Sequence, residues 1–410
     1  MSRIDELIAE LCPDGVEFKA LGEVSEIKRG TSITKSSVME GTVPVVAGGQ
    51  TPAYFHNTHN RSGQTIVIAG SGSAGFVSWW DQPIFVSDAF SVKASDKLSA
   101  KYCYYWLESI QQQIYDLKSG GGVLHVYPRD VARLRIPIPP LEIQREIVKV
   151  LDTFTQLEAE LKAELEARQQ QYEYYQDCLL CFEKLPFYHG EPGRRTGKSR
   201  INDLLTELCP EGVEFKSLQE LFVTKNGYTP STTNKAYWTG GTVPWFRMED
   251  IRKNGRILGK SMQQITEEAV KGGNLFPANS IIISTLATIG EHALITVPHL
   301  SNQQLTSLSL KPEYSERLDI KFIFYCCFVL DEWCRNNTNS ASFASVDMNG
   351  FKKFRFPIPP LEVQREIVAI LDKFDALVND LSSGLPAEIQ ARRQQYQYYR
   401  DRLLSFKEAT

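Results

Sequence analysis

The side chains best suited to chemistry in this sequence are amides, hydroxyls, aromatic rings and isolated cations in glycine-containing loops. Asn, Gln and Arg can form paired hydrogen bonds with the edges of adenine and guanine, whereas Lys, Ser and Thr suit phosphate oxygens. A solvated turn is the better account of any single one of these residues, but two sets of them favour a surface that reads DNA. The candidate DNA-contacting residues are, in the first half, Lys28, Arg29, Thr31, Ser32, Gln50, Tyr54, Ser71, Ser73, Lys118, His125, Tyr127 and Arg129, and in the second half, Lys225, Asn226, Tyr228, Thr229, Ser231, Thr232, Arg247, Asn302, Gln303, Gln304, Asn339 and Ser342.

Three short motifs suggest other chemistry, and each lacks the context that this chemistry needs. Residues 70–75 have the glycine spacing of a dinucleotide-binding loop, but residues 76–81 have the pattern of a strand where a helix is required. The Gly-Lys-Ser at 197–199 lacks the first glycine and the preceding strand of a phosphate-binding loop. Cys178 and Cys181 lie in a helical pattern without a second pair of ligands. We find no methyltransferase tetrapeptide, helicase loop or nuclease constellation, so we expect neither a catalytic residue nor a metal or cofactor site in this chain.

Composition excludes several classes of protein. The 410-residue sequence has no run near the ~18 apolar residues of a membrane span, and its N-terminus lacks the apolar segment of a signal peptide. Eight cysteines are too few for a disulfide scaffold, so we expect a cytoplasmic protein with no membrane partner. The net charge of −4 excludes a uniformly basic chain. A local basic surface is still expected, because residues 20–140 carry 11 basic and 9 acidic side chains, and residues 216–360 carry 16 and 12.

The elements that must position these loops occur twice. Three segments of the first half recur in the second: residues 2–18 at 199–215, residues 137–148 at 357–368 and residues 167–182 at 391–406. The ends of the two copies match closely, whereas the bodies between them hardly align. This pattern predicts two half-subunits with one common frame and two different inserts, which perform two versions of one task.

Each copy ends in a long helical pattern whose apolar residues alternate in steps of three and four, as in the seam of a coiled coil. We expect one helix over 141–182, preceded by Pro139 and Pro140, and a second that breaks at 382–386, where the sequence is Ser-Ser-Gly-Leu-Pro. Two nearly identical seams in one chain favour antiparallel packing against each other. Residues 157–167 repeat every four residues, so each unit changes the length of the helix by ~6 Å. The residues assigned to the spacer and to partner docking are Ile147, Leu151, Phe154, Leu161, Leu165, Tyr172, Tyr175, Ile367, Leu371, Phe374, Tyr396 and Tyr399.

The predicted fold class is α+β, with two mixed α/β bodies separated by long antiparallel coiled-coil helices in a pseudo-two-fold internal repeat. Strands are expected at Val43–Val46, Thr65–Ala69, Phe85–Val92, Thr242–Phe246, Ser280–Ser284 and Leu305–Leu310, and helices at Ala100–Leu117 and Leu318–Asn336. The predicted domains are 1–140 (leading helix and first body), 141–185 (first spacer helix), 186–200 (linker), 201–360 (second body with its leading helix) and 361–410 (second spacer helix).

Four repeated motifs occur together. They are Leu-Cys-Pro-Asp/Glu-Gly-Val-Glu-Phe at 11–18 and 208–215, Pro-Ile-Pro-Pro-Leu-Glu-x-Gln-Arg-Glu-Ile-Val, Gln-Gln-Tyr-x-Tyr-Tyr-x-Asp and the Leu-x-Ala-Glu repeats. With these motifs the chain resembles, over essentially its whole length, the specificity subunit of a Type I restriction–modification enzyme, in the subgroup with four-residue spacer repeats. The resemblance implies a non-catalytic subunit whose two bodies are target-recognition domains. Each would read one half of a split, asymmetric sequence in double-stranded DNA, and the helices would set the gap between the halves.

The resemblance also implies partner subunits. Two modification subunits would bind S-adenosylmethionine and methylate adenine N6, and up to two restriction subunits would use ATP and Mg to cleave unmodified DNA. The DNA-contacting residues do not transfer, because the recognition domains of this family diverge to read different sequences. Three alternatives stay open: a coiled-coil adaptor, a stand-alone DNA-binding protein without restriction partners, and an enzyme that binds a nucleotide at residues 70–75.

Overall fold

A computed structural model of the chain describes residues 3–180, 182, 200–339, 344–380 and 382–409. They form two compact units: the first comprises Met1–Ala163 with Glu388–Thr410, and the second comprises Glu164–Ala387. Several positions named above, namely Cys181, residues 186–199 of the expected linker with the Gly-Lys-Ser motif, and Ser342, lie outside the described residues. No helix in the described part of the chain is long and apolar enough to cross a membrane.

The described helices and strands form two bodies of mixed α and β structure, each followed by long helices, as predicted. Up to residue 180 they are α1 (Arg3–Leu11), β1 (Phe18–Ala20), α2 (Leu21–Val24), β2 (Ser25–Arg29), β3 (Val43–Val46), β4 (Tyr54–His56), β5 (Gln64–Ala69), β6 (Val77–Asp81), β7 (Phe85–Val86), β8 (Ala89–Ala94), α3 (Ala100–Ser109), α4 (Gln111–Asp116), α5 (Pro128–Val131), β9 (Arg135–Pro137) and α6 (Leu141–Leu180).

From residue 200 the same alternation resumes. The elements are α7 (Arg200–Leu208), β10 (Glu214–Ser217), α8 (Leu218–Leu221), β11 (Phe222–Asn226), β12 (Val243–Phe246), α9 (Met248–Asn254), β13 (Ile257–Leu258), β14 (Gln263–Ile265), β15 (Ser280–Ser284), β16 (His292–Ile295), β17 (Leu300–Ser301), β18 (Leu305–Leu310), α10 (Ile320–Asn336), β19 (Thr338–Asn339), β20 (Ser345–Val346), α11 (Met348–Lys353), β21 (Arg355–Ile358), α12 (Leu361–Asn379) and α13 (Leu385–Leu403).

The main sheets of the two bodies share the order of four strands although their sequences hardly align, and the second body adds β13 at one edge. In the first unit the main sheet has the order β2-β8-β5-β6, and in the second it has the order β11-β18-β15-β16-β13. Each body also has a three-stranded sheet, β4-β3-β7 or β14-β12-β17, in which the middle strand pairs antiparallel with one neighbour and parallel with the other. The first unit therefore provides a structurally equivalent position for most loops of the second.

Strands β5 and β15 are buried on both faces, which explains the apolar runs at 66–69 and 281–283 within them. In β5, Ile66 and Ile68 join the cluster that contains helix α3, whereas Val67 joins Val46 and Val86 near the three-stranded sheet. In β15, alternate residues likewise join two different apolar clusters. Side chains alternate between faces along a strand, so the inner residues of a strand covered on both sides are apolar on both faces.

Two predicted elements were too long. The predicted strand Phe85–Val92 is divided into β7 and β8, because the chain leaves the three-stranded sheet and enters the main sheet at Ser87 and Asp88. The predicted helix Ala100–Leu117 is divided into α3 and α4 at Ile110, whose φ of −101° and ψ of 21° are not helical. The predicted break in the last long helix is confirmed between α12 and α13.

The long helices pack antiparallel, as the seams predicted. Within the first unit, Phe154 of α6 stacks on Tyr399 of α13 with 5.4 Å between the ring centroids, and Arg393 Nε lies 2.7 Å from Glu158 Oε1. Residue numbers rise along one helix as they fall along the other, which defines the antiparallel sense. Within the second unit, the ring of Phe374 on α12 lies 6.1 Å from Tyr172 of α6. These contacts confirm the predicted coiled-coil packing.

A repeated glutamine fixes each long helix to its body. Gln144 is fully buried, donates from Nε2 to the carbonyls of Pro139 and Lys97 and accepts from the backbone N–H of Ser99. Gln364 makes the same three kinds of bond in the second unit. An amide buried in this way is satisfied only in one orientation, so these residues set the angle at which each helix leaves its body.

Candidate DNA interface

Loops that carry the predicted residues converge on one edge of the main sheet in the first unit. Strands β2 and β5 end at this edge and β8 begins there, because Arg29 lies opposite Phe90 and Ala69 lies opposite Ala89. Three backbone hydrogen bonds draw further loops to it: Thr31 N–H to the Val86 carbonyl, Ser73 N–H to the Gly48 carbonyl, and Val126 N–H to the Gly70 carbonyl. We call this surface the first edge.

An aspartate that the sequence analysis did not select lies on the first edge. Asp88 is exposed in the turn between β7 and β8, and its carboxylate accepts a hydrogen bond from the Ser71 hydroxyl. The carboxylate has further acceptor capacity, which suits the exocyclic amino group of cytosine. The segment Phe-Val-Ser-Asp-Ala-Phe at 85–90 has the sequence pattern of one uninterrupted strand. The turn at Asp88 could therefore not be recognised from the sequence.

A hairpin-like segment, residues 119–125, rises beside the first edge; we call it the first arm. Its base is closed by two backbone hydrogen bonds of 2.9 Å between Ser119 and His125. The His125 ring stacks on Tyr127, with 6.1 Å between centroids, and the Arg129 guanidinium lies 5.2 Å from the centre of the same ring. The arm thus brings three of the predicted residues together.

The other predicted residues of the first half are placed less closely. Lys28 and Arg29 are exposed on β2, and their carbonyls accept hydrogen bonds from the Arg61 guanidinium, at 3.2 and 2.9 Å. Ser32 and Gln50 are exposed in loops, and Tyr54 is half-buried on β4, the outer strand of the three-stranded sheet. Lys118 lies at the base of the arm with its ammonium group 4.1 Å from the centre of the Tyr115 ring.

The second unit has the equivalent edge, where Ser284 lies opposite Leu305 and Asn226 opposite Thr306. Here the side chains form a hydrogen-bonded network. The Thr306 hydroxyl donates to Asn226 Oδ1 at 3.0 Å and lies 2.9 Å from the Thr285 hydroxyl, which is itself buried. Nearby, the Thr229 hydroxyl donates to Gln303 Oε1 at 2.5 Å, and Asn302 and Gln304 bond each other. We call this surface the second edge.

A polar cavity of about 340 Å³ opens at the second edge. Its lining residues are Asn226, Thr285, Leu286, Asn339, Ser345, Val346, Asp347, Met348 and Asn349. The Asp347 carboxylate caps helix α11 by accepting from the backbone N–H groups of Asn349 and Gly350. Two of the predicted residues, Asn226 and Asn339, therefore face one cavity from opposite ends of the body's sequence.

Arg247 lies beside the second edge, because Asn302 N–H bonds the carbonyl of the preceding residue, Phe246, at 3.0 Å. Its guanidinium is 3.4 Å from the Glu249 carboxylate and 5.7 Å from the centre of the Trp245 ring. Its Nε atom is buried and has no hydrogen-bond partner among the described residues. A buried donor without an acceptor is unfavourable.

Tyr228 is engaged within the protein. Its hydroxyl donates to the Ala269 carbonyl at 3.0 Å and accepts from Lys271 N–H at 2.7 Å, while its ring packs against the apolar cluster around Trp245. Lys225, Thr229, Ser231 and Thr232 are exposed. The structure therefore gives Tyr228 a packing role in the free protein and leaves these neighbouring side chains accessible.

The most exposed tyrosines of the long helices are not among the residues assigned to partner docking. Ile147, Leu151, Ile367 and Leu371 are buried against the two bodies, and Tyr172 is 6% exposed. Leu161, Leu165, Phe154 and Tyr175 are half-buried, as is Tyr396, and Tyr399 is 40% exposed. The side chains that project are Tyr174 and Tyr398, which are 65% and 61% exposed and occupy the same position of the repeated motif. Each directly precedes a seam residue, Tyr175 or Tyr399. Its recurrence in both copies of the motif is the sequence signal by which it could have been selected.

Comparisons with known proteins agree with this arrangement. The family model described as Type I restriction modification DNA specificity domain matches residues 13–167 and 210–391. The specificity subunit of the Type I restriction enzyme EcoR124I/EcoR124II from Escherichia coli is 33% identical over 99% of this chain and 97% of its own length. The EcoprrI specificity subunit from Escherichia coli is 61% identical, in a match that spans 48% of this chain and 51% of that relative.

Solved structures share the fold. The S subunit of a Type I restriction–modification system from M. genitalium has a TM-score of 0.58 and 17% identity, over 95% of this chain and 96% of that chain. A chain from a structure that concerns complex assembly and conformational transition of the Type I R-M system has a TM-score of 0.57, 17% identity and 96% and 98% coverage.

The protein therefore belongs to the family of Type I restriction–modification DNA specificity domains. It is a specificity subunit, the DNA-recognition component of such a system, and not a catalytic subunit. The predicted fold class is confirmed as well, with two specificity-domain regions of mixed α and β structure and a long helix that fits a spacer.

Proposed function

We propose that the first and second edges each read one half of a split, asymmetric sequence in double-stranded DNA. The observation that carries the proposal is that two bodies with one topology present different hydrogen-bonding groups at equivalent backbone positions. Asp88 precedes the first residue of β8, whereas Gln304 precedes the first residue of β18. Ser119 and His125 pair at the base of the first arm, whereas Asn339 and Ser345 pair at the equivalent place.

The difference in chemistry implies a difference in sequence preference. A carboxylate such as Asp88 accepts hydrogen bonds only, whereas the amide of Gln304 both donates and accepts and can pair with the N6 and N7 atoms of adenine. Two surfaces with unlike donor and acceptor patterns read unlike base sequences, so the target is asymmetric. Each well-formed paired contact contributes about 1–3 kcal/mol to discrimination against the wrong base.

Substitution of these two residues tests the proposal. The chain is produced in cells with its modification subunit, and methylated adenines are mapped at base resolution. Asp88→Ala should relax one base position in one half-site, and Gln304→Ala should relax one position in the other. Unchanged motifs in both variants, or changes in both half-sites from one substitution, would contradict the assignment of one edge to each half-site.

We further propose that α6 and its antiparallel neighbours set the gap between the half-sites. The four-residue repeats in α6 and the contact between Glu158 and Arg393 support this role. Deletion of residues 157–160 should change the gap and leave both half-site sequences intact, because it shortens the helix by ~6 Å without altering either edge. Alanine replacement of Leu157, Glu158 and Glu160 is the matched control, since it preserves length and should preserve the gap.

The partners are part of the same proposal. Two modification subunits, which carry S-adenosylmethionine and methylate adenine N6, would each dock on one copy of the repeated helix motif, and up to two restriction subunits would add ATP- and Mg-dependent cleavage. The assembly would act in the cytoplasm. The equivalent exposure of Tyr174 and Tyr398 supports two docking sites, because exposed aromatic side chains are common anchors of interfaces.

The stoichiometry can be measured directly by native mass spectrometry of the co-expressed complex. Tyr174→Ala and Tyr398→Ala should each give a complex with one modification subunit in place of two, and the double variant should bind neither. Substitution of the buried neighbour Tyr172 by Phe is the control and should retain two. Two modification subunits bound to both single variants would refute the assignment of these tyrosines as anchors.

A further inference from the structure

The tip of the first arm carries apolar side chains in solvent. Val123 and Leu124 are 64% and 49% exposed, and Val123 is more exposed than any other large apolar side chain described in the first unit. Exposed single apolar residues are ordinary, but two adjacent ones at the end of a projecting segment form a small apolar wedge.

The backbone of the arm holds this wedge away from the body. The two 2.9 Å hydrogen bonds between Ser119 and His125 close its base, and His125 Nδ1 lies 2.8 Å from the Val123 carbonyl. Side chains added at Gly121 and Gly122 would meet no atom within 4 Å. Gly120 has a φ of 137°, a conformation that favours glycine. The apolar tip therefore extends into open space from a closed base.

Two cationic side chains flank the base of the arm. Lys118 precedes the arm, and Arg129, whose side chain is 75% exposed, lies beyond it. Arg129 also has a loose ion pair of 3.7 Å with Asp130. An apolar tip flanked by cations is complementary to duplex DNA, in which an apolar base stack lies between two rows of phosphates.

We propose that Val123 and Leu124 insert between base steps of the DNA at the half-site read by the first edge. This inference rests on the proposed function and adds a mechanical step to it. Apolar wedges that enter a groove unstack the neighbouring bases. An adenine must leave the stack before an enzyme can modify it, so a wedge that disrupts the stack lowers the cost of extruding the target.

The test uses the complete chain in complex with its modification subunit and a duplex that carries 2-aminopurine, a base whose fluorescence rises on unstacking, at successive positions of the first half-site. The wild-type complex should increase the fluorescence at one step. The Val123→Ser, Leu124→Ser double variant should lose most of this increase while it still recognises the same sequence. Since both side chains are largely in solvent, the variant should unfold at the wild-type urea concentration.

Two controls separate insertion from other effects. Val123→Ile with Leu124→Met keeps the wedge apolar and should retain the signal. Val223→Ser removes an aliphatic side chain that is 46% exposed on β11 of the second unit and should leave the signal unchanged.

Three results would overturn the proposal. The first is a wild-type complex that binds the duplex without a fluorescence increase at any position. The second is a serine double variant with an undiminished signal. The third is loss of the modification subunit from that variant, which would show that the arm docks protein. Failure of the wild-type complex to bind DNA at all would overturn the proposed function itself, and the wedge with it.

Discussion

Protonation of one buried histidine should destabilise the second unit in mild acid. His299 is fully buried, with its ring 5.6 Å from the rings of both Phe246 and Phe276. Its Nδ1 lies 3.0 Å from the Val297 carbonyl, and its Nε2 is buried without a hydrogen-bond partner among the described residues. Burial lowers the pKa of His299 from 6.5 to about 4, an effect only partly offset by the bond to Val297.

The expected loss of stability follows from these values. The folded second unit favours the neutral imidazole of His299. The contribution of this preference to the free energy of unfolding is complete above pH 6.5 and is lost as the pH falls towards 4. The difference between a pKa of 6.5 and one of about 4 corresponds to about 3 kcal/mol in the free energy of unfolding. A loss of this size is a large fraction of the stability of an ordinary domain.

The first unit supplies the matched substitution. Ile84 pairs with Arg61 as His299 pairs with Phe276, and Ile84 is fully buried, so the shared topology accepts isoleucine at this position. His299→Ile should remove the acid-dependent loss and the unpaired nitrogen together. Urea unfolding of the full chain at pH 7.5 and 4.5, followed by tryptophan fluorescence, measures both effects.

The control for this experiment is His59→Ile, which replaces an exposed histidine of the first unit and should leave the pH dependence unchanged. A His299→Ile variant that loses as much stability between pH 7.5 and 4.5 as the wild-type chain would refute the reasoning. The acid sensitivity would then belong to other groups.

Three further predictions concern stability. Burial raises the pKa of the Glu108 carboxyl, which accepts a hydrogen bond from the Tyr396 hydroxyl, so the charged carboxylate destabilises the folded first unit at neutral pH. Glu108→Gln should therefore raise the thermal midpoint of the first unit at pH 7 and raise it less at pH 4.5, where protonation of Glu108 already supplies part of this stabilisation; an unchanged midpoint at pH 7 would contradict this. Gln144→Leu should cost about 1–3 kcal/mol per group left unpaired, including Ser99 N–H, in urea unfolding; a neutral effect would show that the helix is held by its apolar contacts. Leu151→Ala should cost about 2–5 kcal/mol by the same measurement, because Leu151 is fully buried in the first unit, and a loss below that range would mean that the cavity collapses.

The helices and strands that could be predicted are those determined by the residue types within the segment itself. The apolar runs within Thr65–Ala69 and Ser280–Ser284 predicted β5 and β15 nearly to the residue, because the inner residues of a strand covered on both faces are apolar. The sequence at 382–386 predicted the break between α12 and α13 through its glycine and proline. The strand Phe85–Val92 was predicted too long, since the change of sheet at Ser87 depends on hydrogen bonds with strands distant in the chain.

Most side-chain contacts at the first and second edges form between residues that are far apart in the chain. Asp88 and Ser71 are 17 residues apart and meet only because β5 and β8 are neighbours. Thr229 and Gln303 are 74 residues apart and bond across the second edge. Tyr174 and Tyr398 could have been selected, because they repeat, but the periodicity that reveals a seam describes the buried face of a helix and says little about which exposed residue matters.

The sequence by itself determined the repeat, the alternation of bodies and helices, the coiled-coil seams and the family, because these depend on residue types and their spacing along the chain. The tertiary structure decided which loops share an edge and that two dissimilar bodies have one topology. It also decided that the first unit takes in the distant segment Glu388–Thr410. The physical reason is that sheets are held by backbone hydrogen bonds, which tolerate many sequences, whereas the side chains brought together at their edges are set by register between segments far apart in the chain.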